Sequence, residues 1–187
     1  MPRPNPLEPR RAPERTIALV GLMGVGKTTV GRRVAKALGL PFVDADAEIE
    51  TAAGRTVADI FAERGEAEFR SGERRVIARL LDGPPCVLAT GGGAFLNEET
   101  RRLIKARAIS IWLKADLDVV VKRVKRRDTR PLLRGKDPRE VLERLAEQRY
   151  PIYAEADLVV ETSESPHDAA VAAVLSALES WEDRRSA

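Results

Sequence analysis

The chain has 187 residues, 43% hydrophobic and 33% charged, with 32 Lys and Arg against 29 Asp and Glu and a net charge of +3. That composition describes one soluble globular domain long enough to bury a sizeable core, and so small a basic excess gives no argument for nucleic-acid binding. No run approaches the roughly 18 consecutive apolar residues of a membrane span, the single cysteine (Cys86) allows no intramolecular disulfide and fits a reducing cytosol, and one histidine (His167) excludes a metal centre of the Cys/His type.

Residues 1–15 alternate Pro2, Pro4, Pro6, Pro9 and Pro13 with Arg3, Arg10, Arg11 and Arg15. Such a segment cannot bury a core and lacks the apolar stretch of a signal peptide, so it reads as a disordered N-terminal extension. The apolar run Ile17 to Val20 is a first strand. It leads into Gly21-Leu22-Met23-Gly24-Val25-Gly26-Lys27-Thr28, which fits G-x-x-x-x-G-K-[ST]. Glycines let the loop turn its N–H groups inward onto phosphate oxygens, and the helix starting near Lys27 adds the positive end of its dipole. Lys27 reaches the β- and γ-phosphates, and the Thr28 hydroxyl can ligate Mg²⁺. Gly24, Val25, Gly26, Lys27, Thr28 and Thr29 are the expected nucleotide-binding residues.

Val30, Val34 and Leu38 recur along the helix that follows, and Gly39 is a suitable stop. Pro41 to Asp44 is a short second strand closing on Asp44-Ala45-Asp46; in an extended segment the two acids point to the same side. Thr56 with Asp59 resembles a capping box opening a helix through Phe61. Gly65 interrupts, and a longer helix with Phe69, Val76, Ile77, Leu80 and Leu81 on one face runs to Gly83-Pro84-Pro85. Cys86 to Thr90 is a third strand, with Cys86 buried, followed at once by Gly91-Gly92-Gly93.

Residues 98–105 suggest a helix, Ile109 to Leu113 a buried fourth strand, and Leu117, Val120, Val121 and Val124 another helix. A charged run from Lys122 to Arg130 leads into the loop Pro131 to Lys136, and the stretch 123–137 reads as a lid. Asp137 caps a helix with Pro138 at its first position, and Arg149 ends that helix before Tyr150-Pro151. Leu158 to Val160 is a fifth strand. Ser165-Pro166 opens a last helix with Val171, Val174, Leu175 and Leu178 facing the core. The folded domain thus spans 16–180, and 181–187 form a polar tail.

Short apolar strands alternating with helices predict an α/β fold with a parallel sheet covered on both faces, whose ligands sit at the carboxyl ends of the strands. The unusual residues fall there. Asp44 and Asp46 have two readings: one acid helps hold Mg²⁺ while the other orients a substrate hydroxyl, or they are a helix cap and a solvated acid. Arg70 and Arg149 are solvated surface arginines or a converging pair for a carboxylate. Arg130, with Arg123 and Arg127, is a solvated charge or a lid group that neutralises a phosphoryl in flight. The glycine triplet lets a substrate approach the backbone or is a plain turn. His167 reads as structural or exposed, apart from the chemistry.

These residues together resemble the shikimate kinase family. The resemblance runs from about Ile17 to Leu178 and rests on several motifs in order: GLMGVGKTT with the following D-x-D, GRTVADIFAERGEAEFR, ATGGGA, DTRPLL, and the Q-R-x-x-x-Y of Gln148, Arg149 and Tyr153. It implies a three-layer P-loop kinase fold with strand order 2-3-1-4-5 and transfer of the ATP γ-phosphoryl group to the 3-hydroxyl of shikimate, in aromatic amino acid synthesis. It also implies Lys27, Asp46 and Arg130 as catalytic residues, Thr28 and Asp44 at Mg²⁺, and Arg123 and Arg130 on the nucleotide, with Arg123 stacked on adenine. Asp46, Arg70, Gly91, Gly92, Gly93 and Arg149 are implied on shikimate, with the two arginines at its carboxylate. The expected partner is this small molecule alone, with no nucleic acid or membrane, for a cytoplasmic monomer. A related kinase acting on gluconate and a nucleic-acid-handling ATPase are the competing readings.

Overall fold

A computed structural model describes residues 13–126, 135–163 and 167–186. Its centre is β1 (Thr16–Val20), every residue of which is buried. β1 lies between β3 (Val87–Ala89) and β4 (Ala108–Ala115), with β2 (Phe42–Asp44) and β5 (Leu158–Thr162) at the edges, giving the order β2-β3-β1-β4-β5. All pairings are parallel, with Ile17 opposite both Val87 and Ile109. The near-continuous apolar β1 is buried along its length and β4 at every residue but Lys114, as befits strands covered by helices on both faces. This is the expected three-layer architecture and strand order.

The helices are α1 (Lys27–Leu38), α2 (Ala45–Ala53), α3 (Val57–Leu81), α4 (Glu98–Arg107), α5 (Leu117–Lys125), α6 (Pro138–Tyr153) and α7 (His167–Ser186). α1 packs against α7 and β3, while α4 packs against β4 and α3. Among the described residues, no helix is long and apolar enough to cross a membrane.

Three local expectations change. The chain does not stay extended after Asp44: it turns at once into α2, which the sequence reading did not assign. The Asp44 carboxylate accepts from the N–H groups of Asp46 (3.0 Å) and Ala47 (3.5 Å), so Asp44 caps the helix and Asp46 stands in its first turn. α6 does not end at Arg149 but continues through Pro151 to Tyr153. α7 carries on past residue 180 to Ser186, with Trp181 packed on the core, so the expected polar tail is helical over 181–186. The interruption at Gly65 is present as a kink (φ 79°, ψ 175°) within α3. At Thr56 the hydroxyl accepts from the Asp59 N–H and donates to the Asp59 carboxylate. The opening of the last helix at Ser165-Pro166, the lid stretch 127–134 with Arg130, and residues 1–12 lie outside the described residues.

Candidate active site

The loop after β1 is built by backbone conformation. Gly24 and Gly26 have φ of 81° and 101°, in the left-handed region that side chains resist. Gly26 is the N-cap of α1, and no side chain caps that helix and no acid lies in its first turn. The positive helix end is thereby left to an anionic ligand. The Lys27 ammonium donates to the carbonyls of Gly21 and Leu22, both at 2.8 Å. The Val25 side chain is buried in the core and anchors the loop, and its N–H lies 3.5 Å from the Leu22 carbonyl.

From the loop a cavity of about 450 Å³ runs along the carboxyl ends of the strands. Gly24, Gly26, Lys27, Thr28 and Thr29 line one side, Asp44, Asp46, Gly91 and Gly92 another, and Arg123 and His167 close it from α5 and α7. The Thr28 hydroxyl donates to Asp44 Oδ2 at 3.0 Å. Asp44 is therefore the cap of α2 through Oδ1, while its Oδ2 receives the hydroxyl of Thr28 at the phosphate loop. Arg123 donates to the carbonyls of Val25 (3.0 Å) and Ser163 (3.1 Å), tying the loop to the end of β5. His167 departs from its expected place apart from the chemistry: a side chain on Gly26 would come within 3.7 Å of its ring. Nothing in its sequence position signals this, because parallel strand order alone brings the start of α7 to the phosphate loop.

Beyond Asp46 the glycine triplet is crowded by side chains. A Cβ on Gly91 would lie 2.8 Å from Glu73 Oε1 and 3.1 Å from Asp46 Oδ1. On Gly92 it would lie 3.3 Å from Arg149 Nη1, and on Gly93 2.3 Å from Arg70 Nη2. The triplet is thus glycine because acids and arginines from three helices close on it, and Arg70 and Arg149 converge there from α3 and α6. Arg149 is buried and donates to the Gly92 carbonyl at 3.2 Å. Arg70 pairs with Glu73 at 2.8 Å and with Glu66 at 3.4 Å, over the Phe69 ring.

Glu73 was not among the expected residues. It sits one helical turn after Arg70, the spacing at which side chains on a helix meet, and that spacing was the available signal. Its side chain is 2% exposed, and Oε1 has no hydrogen-bond partner among the described residues. Burial pushes its carboxyl above the ordinary value; the Arg70 guanidinium opposes that, and the nearby acids Asp46 and Glu66 add to it. For Arg70, burial pulls downward, but the charges of Glu73 and Glu66 outweigh it and hold the guanidinium above its usual range. A buried acceptor oxygen, a neighbouring carboxylate and two arginines around bare backbone suit a polyhydroxylated carboxylate.

A family model for shikimate kinase matches residues 23–179. The chain belongs to the shikimate kinase family. A shikimate kinase of Caulobacter vibrioides is 65% identical over 172 residues, covering 92% of this chain and 85% of its relative. One from Paramagnetospirillum magneticum is 59% identical over 169 residues, covering 90% and 87%. Among solved structures, the shikimate kinase from Acinetobacter baumannii in complex with shikimate superposes with a TM-score of 0.85 at 38% identity, covering 89% of this chain and 93% of that one. The activity of this kinase is ATP-dependent phosphorylation of shikimate. The gluconate-kinase and nucleic-acid readings are set aside with that assignment. A second cavity, of about 410 Å³ between α2 and α3, has an apolar floor that includes Ile49, Ile60 and Phe69 and contains none of the charged groups above.

Proposed function

We propose that the site transfers the ATP γ-phosphoryl group in line to the 3-hydroxyl of shikimate, with the work divided between two half-sites. In the donor half, Gly24 to Thr29 cradle the phosphates and Lys27 leaves its loop carbonyls for the β- and γ-phosphate oxygens. Arg123 flanks the nucleotide, and Arg130 keeps the lid role that the family resemblance implies. In the acceptor half, Asp46 orients the attacking hydroxyl. Glu73 Oε1 accepts from a hydroxyl beside it, Arg149 and Arg70 hold the carboxylate, and the glycine triplet admits the ring against the backbone. The observation that carries this division is the meeting of Asp46 and Glu73 at Gly91, at the end of the cavity that begins at Lys27.

Phosphoryl transfer passes through a loose transition state, so position and charge neutralisation matter more than a strong base. Asp46 accordingly serves to aim the hydroxyl. The donor set also fits Mg²⁺. Thr28 Oγ1 and Asp44 Oδ2 are adjacent hard oxygens, and no cluster of three or more His, Cys, Asp or Glu among the described residues competes as a metal cage. A site with few protein ligands suits a cation that keeps its waters and takes phosphate oxygens. Bound there, Mg²⁺ would neutralise phosphate charge. The enzyme is read as a cytoplasmic monomer: its only large exposed hydrophobic residue among those described is Val159, and its one thiol is buried.

A coupled ADP-release assay across shikimate, gluconate and nucleoside monophosphates tests the reading. Shikimate alone should stimulate turnover. ATP hydrolysis at the same rate without an acceptor, or stimulation by gluconate, would overturn it.

A further inference from the structure

Tyr153 lies one turn beyond Arg149 on α6, fully buried, with its ring 5.9 Å from that of Trp112. Its hydroxyl donates to the Gly92 carbonyl, the same oxygen that receives Arg149 Nη1 at 3.2 Å. A carbonyl oxygen has two lone pairs, so these donors saturate it. A planar trans peptide holds its N–H opposite its C=O. Turning the Gly92 carbonyl toward α6 therefore turns the Gly93 N–H away from α6, and no acceptor among the described residues takes that N–H. This peptide is the middle one of a turn closed by the Ala94 N–H on the Gly91 carbonyl (3.2 Å), and glycine adds no side-chain restraint to it, so the two donors on the Gly92 carbonyl lock the orientation that the turn allows.

We propose that Tyr153 is a positioning residue for shikimate: by gripping the Gly92 carbonyl beside Arg149, it presents the Gly93 N–H to the acceptor and fixes where Arg149 stands. Burial, against the opposing charge of Arg149, raises the phenol's pKa, so it remains a donor at neutral pH. The inference rests on the assignment of the glycine triplet and Arg149 to the shikimate pocket.

Tyr153→Phe removes the grip and keeps the ring and its packing. Calorimetric titration with shikimate and with ATP, beside Arg149→Lys and the unsubstituted enzyme, reads the result. Tyr153→Phe should weaken shikimate binding about five- to tenfold, the range of one lost hydrogen bond, and leave the ATP Kd within about twofold. The shikimate KM should rise by more than kcat falls. A lower Tm with unchanged shikimate affinity would overturn the proposal, since that is what a purely structural tyrosine gives. If Arg149→Lys loses shikimate and Tyr153→Phe does not, the positioning role falls and the pocket stands. If neither variant loses shikimate, the pocket assignment falls, and the inference with it.

Discussion

The phosphate-facing core of the proposed donor half is one stretch of chain, residues 21–29, with Asp44 beside it and Arg123 reaching the loop from α5. The acceptor half is gathered from α2, α3, the end of β3 and α6. The proposed donor half offers backbone, a helix end and one lysine, and its left-handed glycines follow one another within six residues. The proposed acceptor half is made of side chains separated by scores of residues, and its glycines make room for them. A phosphate loop can therefore be moved between proteins as a unit, whereas a pocket like this acceptor half exists only when the whole fold is in place.

If the halves are separate, substitutions should divide between them. The largest effect is expected at their meeting point: Asp46→Asn should lower kcat by about 10²- to 10⁴-fold, the range for a group acting directly on the attacking hydroxyl, while ATP affinity stays near normal. Steady-state kinetics with an ATP titration checks this, and near-normal turnover removes Asp46 from its role. Next, Arg149→Lys should raise the shikimate KM by about 10- to 100-fold, because lysine lacks the planar fork that grips a carboxylate with two bonds. A fall in ATP affinity instead would break the division.

A smaller effect is expected at Gly93. Its φ of −99° strains no side chain, but a Cβ there would meet the Arg70 guanidinium 2.3–2.6 Å away. Gly93→Ala should push Arg70 aside and weaken shikimate by about tenfold, with the ATP Kd unmoved, in parallel titrations.

The smallest is a pH effect on stability. Burial, against the pull of Arg70, raises the Glu73 carboxyl above 4.5. A carboxyl raised in the folded state holds its proton more tightly there than in the unfolded chain. Stability from this group is therefore lost as pH climbs from the unfolded value through the raised one. Glu73→Gln removes that loss, so its Tm relative to the unsubstituted enzyme should be higher at pH 7 than at pH 4. A Tm difference that stays constant with pH would contradict the raised value.

The same contrast governs what the sequence made legible. The phosphate loop, the five strands and the α/β class could be read directly, because each depends on neighbours within a few residues: a glycine spacing, an apolar run, a helical repeat. The strand order came only with the family resemblance, since no periodicity states which strands pair. The convergence of Arg70 and Arg149 stayed open between surface and pocket, because helical spacing fixes a face but not what another helix brings against it. Glu73 was missed although it is one turn from Arg70, and His167 was placed away from the chemistry although it stands beside Gly26. Of the two readings for Asp44, the structure shows the helix cap, and the second carboxylate oxygen receives Thr28. α2 went unassigned because an extended reading of Asp44-Ala45-Asp46 hid the cap that starts it.

The central claim is that two arginines over bare glycine backbone recognise a carboxylate. It is tested most directly by titrating the enzyme with shikimate and with its uncharged methyl ester. The account predicts that the ester binds at least about 100-fold more weakly, the loss expected when charge-assisted bonds to a buried arginine disappear. Equal affinity for acid and ester would contradict it.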